Sequence, residues 1–271
     1  MNIFRFEFKR LIKSCLIWSL ICGGLTVLFM ALYPSMKGIG MQEIVGNKMD
    51  ELPKELLKAF NIDESMDFSN IYNYIGYCIQ YIAMASAIYG AILGVNALIR
   101  EESQGSIEFL YSKPITRTKL VNSKLLSIVA IYYVYVIILG IITMGVVISV
   151  KPEDIAVMKL MMNLKNMFIG ISLLGYIFIA MGLLISTLVK SDKGAIPISI
   201  GIFFVSYFLG IIGKLKESFE WMKYLSPFDY YAPTSILNNG LDMKFVIIGI
   251  SIIVVSIAGS YIIYSKKDMI I

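Results

Sequence analysis

Six long apolar stretches, none interrupted by a charged side chain, decide what this chain of 271 residues can fold into. We predict them at about residues 15–32, 74–99, 125–150, 167–189, 195–212 and 245–264. Each is close to the length of about 20 residues that an α-helix needs to cross roughly 30 Å of hydrocarbon. Charged residues make up 16% of the chain, whereas soluble chains carry about 25%. The sequence therefore predicts an all-α membrane protein with six transmembrane helices in one domain, residues 1–271.

The basic residues around the first stretch predict how the helices are oriented. Four of them precede it: Arg5, Lys9, Arg10 and Lys13. The next basic residue is Lys37, so the positive-inside rule places the N-terminus in the cytoplasm. An even number of spans then places the C-terminus there too. Residues 1–13 alternate apolar and charged side chains, which favours an N-terminal interfacial helix. The alternative is that they continue the first span.

The residue types that are scarce exclude several kinds of chemistry. The chain has no histidine, the commonest general base and metal ligand, so no metal site is predicted. Its three cysteines lie in apolar stretches and do not suggest a disulfide framework. The net charge of +5 gathers at the ends of the spans, which indicates topology and no nucleic-acid partner. An intramembrane enzyme or proton-coupled transporter would need ionisable groups inside the spans, where Gln80 and Asn96 are the most polar side chains.

The cytoplasmic connection between the second and third spans, residues 100–124, carries the most distinctive local pattern. Gly105 permits a sharp change of direction, and Ser106 can cap a short helix that Pro114 ends. Thr116 can then cap the helix that leads into the third span. We expect a short coupling helix that lies across the cytoplasmic surface and presents apolar and charged side chains outside the bilayer.

This connection resembles the acidic, glycine-containing loop of type-two ABC exporter permeases, the ABC-2-type transmembrane subunits. The matching residues, in order, are Glu101, Glu102, Gly105, Ser106, Glu108, Leu110, Pro114, Ile115, Thr116, Arg117 and Lys124. Two weaker motifs agree: Leu225-Ser226-Pro227 before the last span and Lys266-Lys267-Asp268 after it. The long first outer segment with Leu52-Pro53 is most similar to the subfamily related to multicopper-enzyme maturation and bacitracin-resistance permeases.

The resemblance implies the membrane-spanning subunit of an ATP-binding-cassette exporter in the bacterial cytoplasmic (inner) membrane. Such a subunit forms, with a second permease subunit, a path through the lipid bilayer for an amphipathic or lipid-like substrate such as a peptide antibiotic. A separate ATPase subunit drives it and binds ATP and Mg²⁺, and the chain itself shows no Gly-x-x-x-x-Gly-Lys-Ser/Thr phosphate loop, so we expect no enzyme activity and no cofactor in it. The coupling interface to that ATPase is predicted at Glu101, Glu102, Gly105, Ser106, Glu108, Leu110, Pro114 and Arg117.

Two other functions remain open from the sequence. A membrane sensor or scaffold that transports nothing would share this topology, and an ion-exporting permease is a further alternative. The aromatic segment between the fifth and sixth spans, residues 213–244, is also open to two interpretations. It predicts broken amphipathic helices that either anchor the chain at the membrane interface or form an outer gate. The gate residues would be Trp221, Tyr224, Pro227 and Phe228.

Overall fold

A computed structural model describes residues 3–36, 53, 57, 61–62, 67–103, 105, 115–189, 191–215 and 217–267. All regular structure within these ranges is helical, which confirms the predicted fold class. The six long apolar helices are α1 (Ile3–Met36), α2 (Ile71–Ser103), α3 (Arg117–Val150), α4 (Val157–Ser186), α5 (Ala195–Leu215) and α8 (Met243–Lys266). A short 3₁₀ turn, Asp192–Gly194, precedes α5, and the two short helices α6 (Pro227–Tyr230) and α7 (Pro233–Asn239) lie before α8.

Most of the helices extend beyond the apolar stretches from which they were predicted. Residues 3–13 form the first turns of α1 without a break, as in the alternative that continues the first span. The beginning of α3 lies where Thr116 predicts it, since the Thr116 hydroxyl accepts a hydrogen bond from the Lys119 amide at 3.3 Å. Helical hydrogen bonding continues through polar residues until a capping or helix-breaking residue ends it. The length of an apolar stretch therefore underestimates the length of the helix that contains it. The coupling helix predicted after Gly105 lies outside the described residues.

Helix α2 is the centre of the bundle and packs most extensively against α4. In its most apolar stretch 72% of the residues are buried, against 17% in the peripheral α8. Glycines allow the close approach of α2 and α4: a Cβ atom on Gly90 would lie 2.8 Å from the Gly175 carbonyl oxygen, and one on Gly94 would lie 2.9 Å from the Gly182 Cα. Spacing of small residues by four positions is typical of tight helix crossings in membranes.

The alternating helices give the bundle two ends with different contents. At one end, which we call the termini end, lie the beginning of α1, the end of α2, the beginning of α3 and the end of α8. Hydrogen bonds connect these four helix ends. The distal end holds the other end of each span and the segment from the 3₁₀ helix Glu217–Leu225 through α7. Pro227 and Pro233 occupy the first turns of α6 and α7, so the segment is broken as predicted.

Candidate functional site

Four charged side chains from three helices meet at the termini end, and we call them the ionic cluster: Glu7 and Arg10 of α1, Glu101 of α2 and Lys124 of α3. The Arg10 guanidinium contacts the Glu7 carboxylate at 2.5 Å and donates to Glu101 Oε1 at 3.1 Å. The Lys124 ammonium donates to the other Glu101 oxygen, lies 3.9 Å from Glu7 Oε1 and donates to the Ala97 carbonyl at 2.6 Å. The cluster therefore joins α1, α2 and α3 at one point.

Because the cluster is buried, its ion pairs constrain the relative position of the three helices. Only 2% of the Lys124 side chain and 9% of the Glu101 side chain are exposed. A buried charge is tolerable only when opposite charges and hydrogen bonds replace its water, and the signs of these four groups balance. Separation of the helices would leave each charge without its partner. The termini ends of α1, α2 and α3 are thus held as one unit.

A second set of contacts, the C-terminal clasp, ties the last helix to the ends of the α2–α3 connection. The Lys267 ammonium contacts Glu102 Oε2 at 2.7 Å. The Arg117 guanidinium donates to three carbonyl oxygens at the end of α8, those of Tyr264, Ser265 and Lys267, at 3.1, 2.9 and 2.8 Å. A cation that satisfies the free carbonyls of a helix C-terminus also complements the helix dipole.

The structure describes four of the eight residues predicted for ATPase coupling. Glu101, Glu102 and Arg117 point into the bundle, where the ionic cluster and the C-terminal clasp hold them. Gly105 lies two residues after the end of α2 and has a φ of 66°, in the left-handed backbone region, which confirms the predicted turn. The remaining predicted residues lie outside the described residues: Ser106, Glu108, Leu110 and Pro114. Inward-facing residues thus lie at both ends of the connection, Glu101 and Glu102 where it begins and Arg117 where α3 begins.

At the distal end, the residues predicted as an outer gate do not form a single cluster. Trp221 and Tyr224 are exposed by 56% and 55%, on the surface of the 3₁₀ helix. Phe228 is fully buried against α5, with its ring centroid 5.3 Å from that of Tyr207, and the adjacent Pro227 is buried too. Two of the four residues thus face outward and two pack inward, so the gate stays a prediction.

A salt bridge joins α5 to α6, the short helix that carries Phe228. The Lys214 ammonium at the end of α5 contacts the Asp229 carboxylate and donates to Asn61 Oδ1 at 2.5 Å. Close by, burial together with the neighbouring Tyr231 and Asp229 raises the pKa of Tyr230 to about 12. The Tyr230 hydroxyl therefore stays protonated near neutral pH and donates to the Tyr224 carbonyl.

Two adjacent cavities of opposite character open at the distal end. One, of about 340 Å³, has polar walls that include Lys214, Asp229 and Asn238. The other, of about 300 Å³, is lined mainly by apolar and aromatic side chains, among them Phe29 and Tyr77. Both share Ile62, so a polar and an apolar cavity lie side by side.

Sequence reasoning missed the ionic cluster and the Lys214 salt bridge because both lie just beyond the predicted spans. The spacing of Glu7 and Arg10 by three positions on one helix was a usable signal for a shared face. Nothing local to Lys124 or Lys214 says whether a lysine at the end of a span turns inward. Among the described residues, no group of three or more acidic or cysteine side chains is placed to hold a metal ion.

A comparison of the sequence with models of known protein families identifies a family that spans almost the whole chain. The model of the ABC-2 family of transporter proteins matches residues 1–269. This chain belongs to that family. It is therefore a multi-pass membrane protein and the membrane subunit of an ABC transporter, and the ABC-2 family implies pairing with an ABC ATPase. A comparison with curated proteins finds no significant match.

Proposed function

We propose that this ABC-2 subunit forms, with a second permease subunit, the translocation path of a bacterial exporter for an amphipathic substrate such as a peptide antibiotic. A separate ATPase binds ATP and Mg²⁺ and drives the cycle. The termini end faces the cytoplasm in this proposal because the basic residues of α1 precede the first span and the positive-inside rule favours that side.

The arrangement around the α2–α3 connection is the observation that carries the proposal. At its start, Glu101 joins α1 and α3 through the ionic cluster, and Glu102 joins the end of α8. At its finish, Arg117 holds the same end of α8. A movement of the connection is therefore transmitted through short charged contacts to four of the six spans, α1, α2, α3 and α8. That is the property a membrane subunit needs if an external ATPase is to move it.

We assign different roles to the coupling residues according to their position. Ser106, Glu108, Leu110 and Pro114, in the middle of the connection, contact the ATPase. Glu101, Glu102 and Arg117 form the bundle side of the same interface and transmit the movement. Gly105 provides the turn between the two parts, since its positive φ strains any residue with a side chain.

The paired cavities at the distal end support an amphipathic substrate. A molecule with a polar group and an apolar body would find hydrogen-bonding partners near Lys214 and Asp229 and an apolar wall near Phe29, with Ile62 between them. The movable part of an outer gate is then the segment from Trp221 to Phe228, whose buried half contacts α5.

The first test is reconstitution of the chain with an ABC ATPase encoded beside its gene. We expect the two to copurify and to hydrolyse ATP in proteoliposomes, and a fluorescent amphipathic peptide to move in an ATP-dependent manner towards the distal side. A mutant ATPase without its phosphate-loop lysine is the control. Failure of any ATPase to copurify would contradict the proposal and favour a sensor or scaffold.

A charge exchange tests the role of Glu102. We expect Glu102→Lys to lower ATP-dependent transport while the ATPase still binds, because the new ammonium faces Lys267 in the C-terminal clasp. The double variant Glu102→Lys/Lys267→Glu restores the opposite charges and should recover transport. If the double variant stays as inactive as the single one, Glu102 acts on the ATPase directly and not through α8.

A further inference from the structure

A third cavity, of about 530 Å³, lies between α1 and α2 at the termini end. We call it the basic pocket, because Arg10 and Lys13 of α1 and Arg100 of α2 line it. Ser14, Asn96 and Trp18 lie next along the two helices, and the rest of the wall is aliphatic. The positive-inside rule explains why cations lie at this end of the spans, but none of the features described above accounts for a cavity that places three of them beside an apolar wall.

Among the residues that the structure describes, no acidic side chain lines this pocket. Glu7 and Glu101 are engaged with Arg10 and Lys124 in the ionic cluster. Arg100 is half-buried and Lys13 is exposed, and neither forms an ion pair with any acidic side chain in the part of the chain that the structure describes. Two positive charges therefore remain in the pocket and favour an anionic ligand.

The order of the groups along the helices follows the order of groups in a phospholipid. On α1, Arg10, Ser14 and Trp18 are spaced by four residues and share one face. On α2, Asn96 and Arg100 have the same spacing. Both series run from cations at the helix end, through neutral polar groups, to an indole or aliphatic surface. Tryptophan favours the depth of the lipid headgroups, where its ring meets both apolar and polar surroundings.

We propose that the basic pocket binds the phosphate-bearing headgroup of an anionic phospholipid from the leaflet at the termini end. Arg100 and Lys13 contact the phosphate, Ser14 and Asn96 lie at the level of the glycerol, and the acyl chains follow the aliphatic wall between α1 and α2. A soluble anion would make no use of that wall. An acidic segment of a partner protein would have to pass between two helices at the depth of Trp18.

Binding at this place would also support the ionic cluster. Arg10 belongs to both the pocket and the cluster, so a ligand phosphate beside it adds a further acceptor to a group that already bridges α1 and α2. A ligand that binds only the folded arrangement stabilises it by mass action. Anionic lipid would thereby favour the assembled state of the first three spans.

The chain contains only two tryptophans, which permits a direct test of occupancy. In the variant Trp221→Phe, Trp18 is the single indole and reports on the pocket. The full chain is reconstituted in phosphatidylcholine vesicles that contain either brominated phosphatidylglycerol or, at equal mole fraction, brominated phosphatidylcholine. We expect stronger quenching by the brominated phosphatidylglycerol. Arg100→Gln and Lys13→Gln should each lower that preference about fivefold.

Three controls make the result decisive. Arg5→Gln removes the same charge from an exposed position of α1 outside the pocket and should leave the preference unchanged. An equal loss in Arg5→Gln would mean general surface attraction and overturn the proposal. Relief of quenching by inorganic phosphate would assign the pocket to a soluble anion, and equal quenching by the two lipids would leave it to an acidic protein segment. Either outcome also overturns the lipid site.

The outcome is independent of the exporter proposal. The vesicles contain no ATPase, so a transport failure does not alter the quenching result. Conversely, loss of the headgroup preference would leave the ATP-dependent transport test unaffected.

Discussion

The helices are held together by different kinds of contact at the two ends of the bundle. At the termini end, four alternating charges from three helices meet in the ionic cluster. At the distal end, aromatic rings and hydroxyl groups make many of the contacts between helices. The Tyr33 hydroxyl donates to the Ser69 carbonyl oxygen at 2.9 Å, and the Tyr74 hydroxyl donates to the Phe29 carbonyl oxygen at 2.6 Å.

This difference has a mechanical meaning. Buried opposite charges hold their partners in one arrangement, because any other arrangement leaves a charge without compensation. Aromatic rings accept several mutual orientations at similar energy, as their varied angles at the distal end illustrate: Tyr230 stacks on Phe245 with planes 10° apart, whereas Phe228 meets Tyr207 at 76°. We infer that the termini end transmits movement and the distal end adapts to it.

The largest effect should come from Lys124 in the ionic cluster. We expect Lys124→Met to destabilise the protein by about 3–5 kcal/mol, because it leaves two buried carboxylates with one arginine. Thermal unfolding in detergent measures the change. Lys119→Met, at an exposed position of the same helix, should alter stability by less than about 0.5 kcal/mol.

A second substitution separates the charge of Lys124 from its packing. The double variant Lys124→Met/Glu101→Gln removes one charge of each sign, so it should be more stable than Lys124→Met alone. Equal stability of the single and double variants would mean that the ion pairs do not determine the rigidity of this end.

The matching salt bridge at the distal end should matter less. The Lys214 side chain is 23% exposed, so water partly compensates for its removal, and we expect Lys214→Met to cost about 1–3 kcal/mol. Lys223→Met, which breaks the exposed pair with Glu220, serves as the control and should have little effect. A loss as large as that of Lys124→Met would abolish the proposed contrast between the ends.

The smallest effect is expected for a single distal hydroxyl. Tyr33→Phe removes one hydrogen bond and keeps the ring, so stability should fall by about 0.5–1.5 kcal/mol. Tyr133→Phe, at an exposed position of α3, should be neutral when unfolding is followed in the same detergent. A much larger loss at Tyr33 would show that the distal end is also held by specific polar contacts.

Local signals in the sequence predicted many features of the fold. Thr116 marked the beginning of α3, Gly105 the turn after α2, and Pro227 and Pro233 the short helices before the last span. Each of these depends on backbone geometry within a few residues, which the residue type itself restricts. The continuity of α1 through residues 3–13 was only an alternative, because an amphipathic segment fits a separate helix equally well.

The inward orientation of Glu101, Glu102 and Arg117 could not be predicted in this way. All three belong to a charged connection, and such residues usually face water. Their direction depends on Lys124, Arg10 and the end of α8, which are distant in the sequence and come close only when the helices pack. The family resemblance implied where the coupling interface lies, and the packing shows which of its residues hold the bundle.

The sequence by itself determined that six apolar helices form and how α3 and the short distal helices begin, since hydrophobic length and capping residues act locally. Only the tertiary structure decided which helix lies at the centre, which lysines turn inward and where unbalanced cations meet an apolar wall. The physical reason is that charge pairing and the close contact of Gly94 with Gly182 depend on distances between helices. No property of a single helix determines those distances.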